Sequence, residues 1–418
     1  MTRDRRMRAG DISIAWGAPI CQPMRSQLIT SVVVKIPNPC KDPAVQTFSA
    51  NASKTHTRAR AEQETWLKAA SKSLASGRLN DALSYLDQAI ATGEVNAEVW
   101  YRKGNCLNRL GRTLEAIRCY DRALEIDPTS TLAWNNKGVE LAGLGRTEAA
   151  IRCFDRALAI DTGNAQAWFN KGTCLRSQGH YADALTCYER LTQIASSDAD
   201  AWVKMGICLI RLGRFAQAVG ANDRALQIDS RNTDAALNKA VSLHSLGQAQ
   251  EALTACEEVL QINPADRRAW YNRGVSLHVL GRYSEAIKSY DRALGIDPRD
   301  GRVWINKGAS LQCRGDYEEA LVCYDRALQL DWRAAVAWRN RGNVLLQLER
   351  MEEAVRSYDR VLVINPQDSW VKSVKKRTEE ESRSRAPFSI RLPRILNMAA
   401  QRAALERDHP GRPQRGTA

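Results

Sequence analysis

The sequence repeats itself every 34 residues, and this period limits the fold more than any other feature of the chain. Tryptophan shows it most clearly, with gaps of 34 residues between successive members, or 68 where Ala236 replaces one. The series consists of Trp66, Trp100, Trp134, Trp168, Trp202, Trp270, Trp304 and Trp338. A fixed period of this length is typical of repeat proteins, in which each unit packs mainly on its neighbours.

Other residue types keep the same register. With units starting at 63, 97, 131, 165, 199, 233, 267, 301 and 335, tryptophan is at position 4 and glycine at positions 8 and 15. Alanine is at position 20 of all nine units, and an aromatic residue at position 24 of six. Because glycine tolerates positive φ, the second glycine suits a tight turn between two helices. The sequence pattern of each unit therefore predicts a helix, a turn and a second helix.

These residues resemble the tetratricopeptide repeat (TPR), whose signature has Trp, Gly, Leu or Tyr, Gly, Ala, aromatic, Ala and Pro at positions 4, 8, 11, 15, 20, 24, 27 and 32. The resemblance covers 63–368 and implies an all-α protein, a right-handed α-solenoid of nine 34-residue helix-turn-helix repeats. We predict a C-terminal capping helix over 369–384. Units five and six depart most from the signature, at Asn222, Ala236, Ala240 and Cys256.

The formal net charge of +14 is concentrated in the two ends of the chain. Residues 1–62 have a net charge of +6 and residues 371–418 have +7, so the repeats are nearly neutral. We predict that the N-terminal extension 1–62 and the tail 385–418 are largely disordered. The basic pI therefore does not indicate a nucleic-acid groove in the folded part.

Asparagine recurs at position 6 of the first helix, which lines the concave face in the TPR family. The series consists of Asn136, Asn170, Asn238, Asn272, Asn306 and Asn340. An amide side chain has both donors and an acceptor, so it can pair with a peptide backbone. The series looks like the asparagine ladder of the superhelix attached to O-linked N-acetylglucosamine transferases. The alternative is that these amides only satisfy neighbouring groups of the protein.

Apolar residues accompany this series on the same helix faces. With the asparagines they form the predicted peptide-binding groove, to which we assign Phe169, Val203, Ile207, Val241 and Tyr271. An apolar stripe in a groove often marks a partner site. The alternative is that these side chains pack within the protein.

The remaining chemical groups indicate structural roles. Cysteines recur at positions 10 and 23, which predicts small buried core slots rather than disulfides or zinc ligands. His244 and His278 share position 12, where we expect ordinary polar groove residues. Repeated Asp-Arg pairs on the second helices, such as Asp121 and Arg122, predict ion pairs between units.

The sequence therefore predicts a non-enzymatic scaffold that binds another protein through an extended peptide segment. We assign no catalytic, cofactor-binding or metal-binding residue, because no P-loop, dinucleotide fingerprint, nucleophile elbow or metal motif occurs. A second interpretation is a substrate-selecting partner of a glycosyltransferase or other enzyme on another chain. A third is contact of the basic tails with nucleic acid or an anionic membrane. We expect a cytoplasmic location, or an organelle if the arginine-rich start is a transit segment.

Overall fold

The computed structural model describes residues 43–93 and 96–384, and the regular structure in them is α-helical. The chain divides into two units, Met1–Arg58 and Ala59–Ala418. Helix α1 (Pro43–Ala75) begins inside the range that we predicted to be largely disordered. Residues 43–62 are therefore helical, which fits a proline in the first turn followed by several alanines. The predicted tail 385–418 and residues 1–42 lie outside the described residues.

The 34-residue register is confirmed by the first helices of units two to nine, which begin at the predicted unit starts. They are α3 (Ala97–Arg109), α5 (Thr131–Gly143), α7 (Ala165–Ser177), α9 (Ala199–Arg211), α11 (Thr233–Ser245), α13 (Arg267–Val279), α15 (Gly301–Arg314) and α17 (Ala335–Gln347). The second helices are α2 (Leu79–Ala91), α4 (Thr113–Ile126), α6 (Thr147–Ile160), α8 (Tyr181–Ile194), α10 (Phe215–Ile228), α12 (Ala249–Ile262), α14 (Tyr283–Ile296), α16 (Tyr317–Leu330) and α18 (Met351–Ile364). Helix α19 (Ser369–Ser384), where we predicted the capping helix, is the last helix of the described residues.

Local sequence signals set the helix ends. In seven first helices the preceding residue caps the N-terminus, accepting a hydrogen bond from a first-turn backbone N–H. These caps are Asn96, Ser130, Asn164, Asp198, Asn232, Asp266 and Asp300. The position-15 glycines that end the first helices have φ between 73 and 97°. Glu349 takes this slot in the ninth unit and has φ 58°.

The core is built from the small and aromatic residues of the repeat. Alanine at position 20 is fully buried in all nine units. The aromatic rings at position 24 are buried as well, and each lies against the position-8 glycine of its own unit. A Cβ atom built on Gly104, for example, would be 2.5 Å from Cε1 of Tyr120. Glycine inside the first helix is thus explained by the close approach of a ring.

The repeated tryptophan joins each unit to the loop before it. In six units the indole Nε1 donates a hydrogen bond of 2.8–3.0 Å to the carbonyl oxygen six residues earlier. Trp134, for instance, bonds to the oxygen of Pro128. Ala236 has no indole, so the sixth unit lacks this bond.

Ion pairs between units follow the repeat and use the aspartates of the predicted Asp-Arg pairs, whereas arginines such as Arg122, which pairs with Glu125, bond within their own helix. A cation at position 7 reaches the acid at position 25 of the preceding unit over 2.6–3.1 Å. The pairs include Lys137–Asp121, Lys171–Asp155, Lys239–Asp223, Lys307–Asp291, Arg341–Asp325 and Lys375–Asp359. The acids are about half exposed, so each pair contributes little by itself.

Successive helices pack side by side, so the repeats of Ala59–Ala418 form an α-solenoid. Each second helix from α4 to α16 contacts the first helix of its own unit and that of the next unit. Helix α19 covers the end of α18 and buries Val371 and Val374. First helices of neighbouring units also contact each other, as in α5 and α7 or α11 and α13. This places their outward faces next to one another.

Candidate functional site

The candidate site is the surface made by positions 2, 5, 6, 9, 12 and 13 of the first helices α3 to α17, which we call the first-helix face. Those positions lie on one side of a helix because residues three or four apart are neighbours. Contacts such as those between α3 and α5 and between α13 and α15 make the face continuous across unit boundaries.

The position-6 asparagines form hydrogen bonds between units. Asn136 donates through Nδ2 to Oδ1 of Asn105 over 2.8 Å and to the hydroxyl of Tyr101 over 3.3 Å. Asn170 donates to Oδ1 of Asn135 over 3.0 Å. Each asparagine thus reaches position 5 or 9 of the preceding unit, so part of its hydrogen-bonding capacity is used within the protein.

Asn306 bonds to the preceding unit in the same way, but Asn238, Asn272 and Asn340 are placed differently. Its Nδ2 donates to the hydroxyl of Tyr271 over 3.0 Å. Asn238 is partly exposed and has no side-chain hydrogen bond among the described residues. Asn272 and Asn340 are 9% and 4% exposed, so they lie below the surface. Only four of the six predicted asparagines therefore present an accessible amide.

The apolar side chains of the predicted groove also divide into partly exposed and buried ones. Phe169, Ile207 and Val241 are partly exposed. Val203 and Tyr271, which we expected on the binding surface, are buried instead. Val203 packs on Ala225 and Ala235 at the boundary between α10 and α11.

Tyr271 is buried because its ring packs beside Tyr290, at a centroid distance of 6.3 Å. The Cζ atom of Arg302 lies 5.5 Å from the centroid of the Tyr271 ring. This tyrosine is thus part of the support under the first-helix face.

His244 and His278 are buried, contrary to the expectation that they are groove residues. Nε2 of His244 lies 3.0 Å from Oγ of Ser276, and that hydroxyl donates to the carbonyl oxygen of Asn272. The histidine must therefore donate through Nε2, which leaves Nδ1 as a buried atom without a partner. Burial lowers the pKa of His244 to about 4.

The second histidine repeats the arrangement one unit later. Nδ1 of His278 lies 2.8 Å from Oγ of Ser310, whose hydroxyl donates to the carbonyl oxygen of Asn306. Burial lowers the pKa of His278 to about 4 as well. Both rings are neutral near pH 7 and join neighbouring first helices.

The cysteines fill core slots, as their spacing predicted. Eight of the nine described cysteines are buried, and all nine are free thiols. Burial raises the pKa of Cys187 to about 11 and that of Cys208 to about 12, so both remain protonated and unreactive near pH 7. In the described part of the chain, no group of three or more His, Cys, Asp or Glu could hold a metal ion.

Sequence reasoning missed two arginines on this face, Arg176 at position 12 of the fourth unit and Arg211 at position 13 of the fifth. The Nε atom of Arg176 is buried and has no hydrogen-bond acceptor. Cζ of Arg211 lies 5.1 Å from the ring centroid of Tyr181. Their signal in the sequence is weak, because arginine occurs once at position 12 of the units and twice at position 13, where the other is Arg109.

Comparison with known families identifies the repeats. A sequence profile described as tetratricopeptide repeat matches residues 97–130, 268–300, 301–331 and 335–368. A second profile of the same description matches 135–199 and 175–233, and a third matches 209–272. The chain belongs to the tetratricopeptide repeat family. No curated protein matches the sequence of this TPR protein. Within the described residues, no helix has the length and apolar character needed to cross a membrane.

Several solved structures are similar to this chain at low identity. The crystal structure of YrrB, described as a TPR protein with an unusual peptide-binding site, is 22% identical, with a TM-score of 0.41 over 47% of this chain and 97% of YrrB. PilF of Pseudomonas aeruginosa is 20% identical, with a TM-score of 0.42 over 48% of this chain and 92% of PilF. The Cut9–Hcn1 structure of the APC/C is 18% identical, with a TM-score of 0.49 over 72% of this chain and 59% of that one.

Proposed function

We propose that this TPR protein is a non-enzymatic scaffold that binds an extended peptide segment of another protein along its first-helix face. The observation that carries the proposal is the coexistence of accessible amides and apolar side chains on one continuous face. Amides at Asn136, Asn170, Asn238 and Asn306 supply donors and acceptors for a peptide backbone. Phe169, Ile207 and Val241 supply apolar contacts beside them.

The contacts favour an extended segment over a folded partner surface. The accessible amides lie one or two repeat units apart, as Asn136 and Asn170 or Asn170 and Asn238 do, so a stretched chain can meet them at intervals along its backbone. Partly exposed side chains between them accept side chains of the segment. Asn238 is the best placed amide, because its side chain makes no hydrogen bond within the described residues and Val241 is one turn away. The binding energy would come from many modest contacts.

The nearly neutral repeats predict a mild salt dependence. A segment held by hydrogen bonds and apolar burial loses little affinity when ionic strength rises. Binding through the basic tails would instead fall steeply with salt. This difference separates the two interpretations in one titration series.

We also propose that the protein is located in a reducing compartment such as the cytoplasm. Thiols recur in buried helical slots, as with Cys119 and Cys153 at position 23, where they fill space as small apolar groups. Such use of cysteine is usual where thiols stay reduced.

The test selects peptides from a random phage-displayed library on the immobilised full chain and then titrates the selected peptides in solution. We expect the double variant Ile207→Glu with Val241→Glu to abolish binding, because it places two charges on the apolar part of the face. Asn238→Ala should weaken binding by about 0.5–1.5 kcal/mol. Circular dichroism verifies that each variant keeps its helicity.

The matched control is Val322→Glu with Val363→Glu, which makes the same change at exposed valines of the second helices α16 and α18. This control should bind as the wild type does. Equal loss of binding in both double variants, or no loss in the first, would rule out the first-helix face as the peptide site.

A further inference from the structure

Helix α5 presents the two most exposed large apolar side chains of the first-helix face. Leu132 and Val139 are 52% and 40% exposed, and Asn136 lies between them on the same stripe. The six face positions of α5 hold no charged residue, whereas every other first helix from α3 to α17 has at least one arginine, lysine, aspartate or glutamate there. An exposed apolar and uncharged surface within a binding face favours contact with an apolar group of the partner.

The end of the α5 stripe is open, because its side chains there are the smallest of the repeat. Position 12 is Ala142, where the other units have Leu, Asn, Arg, Ile, His or Gln. Position 13 is Gly143, and a Cβ atom built on it would meet nothing within 4 Å. These two residues lie one turn beyond Val139 on the same side of the helix. They leave a notch in the first-helix face.

The floor of this notch is Cys174, at position 10 of the next unit. Ala142 packs against the core cluster that contains Cys174. In later units the position-12 side chain covers position 10 of the following unit, as His244 does with its Nε2 atom 3.0 Å from Oγ of Ser276. Ser276 is fully buried under that ring, whereas Cys174 under Ala142 is 7% exposed. The short alanine thus leaves the floor uncovered.

The groups around the notch are neutral. Burial raises the pKa of the Cys174 thiol, so the thiol stays protonated near pH 7 and acts as a small apolar group. The nearest amide is that of Asn170, whose Nδ2 donates over 3.0 Å to Asn135, one turn before Val139 on α5. Oδ1 of Asn170 accepts no hydrogen bond within the described part of the chain, so it can accept one from a peptide backbone N–H.

We propose that the α5 notch, formed by Val139, Ala142, Gly143 and Cys174, binds one bulky apolar side chain of the peptide segment on the first-helix face. Leucine, methionine or phenylalanine would bury apolar surface there. A charged side chain in the same place would lose hydration without meeting an opposite charge on α5. This inference rests on the proposed function and adds to it an anchor residue and its place between the third and fourth units.

The test repeats the phage selection on the wild-type full chain and compares each selected peptide with a version in which the shared bulky residue is alanine. We expect the alanine peptide to bind the wild type about tenfold more weakly, because most of a large apolar contact is lost. In Ala142→Leu the new side chain fills the notch, so the original peptide should lose about tenfold in affinity as well. The variant should bind both peptides equally.

Two further variants separate the notch from other effects. Leucine already occupies position 12 at Leu346, so Ala142→Leu should keep the fold, which circular dichroism verifies. Val139→Asn replaces the wall of the notch by the residue that position 9 has at Asn105, and it should reduce the preference for the bulky peptide. The matched control is Ala159→Leu, the same change at an exposed alanine of the second helix α6, and it should leave the preference unchanged.

The outcomes separate this inference from the proposed function. Peptides that need Ile207 and Val241 but share no bulky apolar residue, or a preference that survives in Ala142→Leu, would overturn the α5 notch alone. An equal loss of preference in Ala159→Leu would also overturn it, because that change lies outside the first-helix face. Failure to select any peptide that depends on Ile207 and Val241 would overturn both.

Discussion

Gly138 lies directly against the ring of Phe154: a Cβ atom at Gly138 would be only 2.5 Å from Cε1 of that ring. The contact joins the first and second helices of the third unit, α5 and α6. Cβ atoms essentially never approach other atoms so closely, so the backbone or the ring would have to shift. The same relationship recurs between Gly274 and Tyr290.

We expect Gly138→Ala to destabilise the protein by about 1–3 kcal/mol through overpacking, although alanine favours helices over glycine. Gly143, in the same helix, is the control, because its Cβ would meet nothing within 4 Å. Gly143→Ala should raise the free energy of unfolding by a few tenths to about 1 kcal/mol. Urea unfolding of both variants measures this, and stabilisation by Gly138→Ala would disprove the close contact.

Glu349 is strained in the turn of the ninth unit. It is the only non-glycine residue with positive φ in the described part of the chain, and it stands where eight other units have glycine. We predict that Glu349→Gly stabilises the protein by about 1 kcal/mol, since the left-handed conformation costs roughly that much for a residue with a Cβ. Thermal or urea unfolding checks the value.

Glu349→Ala is the control for that prediction. Alanine also removes the carboxylate but keeps the Cβ atom, so it should leave the strain in place. A similar gain from both substitutions would show that charge, and not backbone conformation, accounts for the effect.

The buried histidines predict a loss of stability in acid. Unfolded histidine binds a proton below about pH 6.5, whereas His244 and His278 do so only below a pKa of about 4 because burial disfavours the charged ring. Their contribution is fully present above pH 6.5 and is lost as pH falls towards 4. At about pH 5 each should cost on the order of 2 kcal/mol relative to neutral pH.

The measurement compares urea unfolding at about pH 7.5 and pH 5. In the test variant, His244→Gln and His278→Asn keep a donor near Nε2 and Nδ1 respectively, so the hydrogen bonds to Ser276 and Ser310 are preserved. The variant should lose much less stability between the two pH values than the wild type. An identical pH dependence in both proteins would assign the acid sensitivity to other groups.

The 34-residue period alone was enough to predict the order of the helices and the main core positions. Fixed spacing gave the helix starts at residues such as Ala97 and Thr131, and the repeated alanine gave the buried slot that Ala116 and Ala150 occupy. These features depend on contacts inside a unit or with the adjacent unit, so they recur whenever the residue recurs.

The first-helix face could be predicted only in part, because its exposure depends on pairs of different residues. Whether Asn306 bonds within the protein depends on Tyr271 standing 35 residues earlier. Val203 is buried because Ala225 and Ala235 leave room for it. Arg176 and Arg211 stand at positions 12 and 13, which no residue type occupies in most units, so periodicity carried no signal for them.

Units five and six, residues 199–266, should be the least stable internal part of the repeats. Asn222 replaces the aromatic residue of unit five: it is fully buried, and its Oδ1 has no partner. Its Nδ2 donates to the carbonyl oxygen of Ala218 over 2.7 Å, so half of the amide is unsatisfied. Ala236 and Cys256 replace the tryptophan and the aromatic residue of unit six.

We therefore predict that backbone amides of residues 199–266 exchange with deuterium faster than those of residues 131–164, a unit that has every core residue of the repeat. The physical reason is that each unit of a solenoid is stabilised by its own core and by its two neighbours, so a weak pair of units opens first. Native-state hydrogen exchange followed by mass spectrometry gives the protection of each segment. Substituting Asn222→Leu, which removes the unsatisfied oxygen without adding a ring, should slow exchange in 199–266 and leave 131–164 unchanged. Equal protection of the two segments in the wild type would show that coupling to the flanking units compensates for the missing aromatic residues.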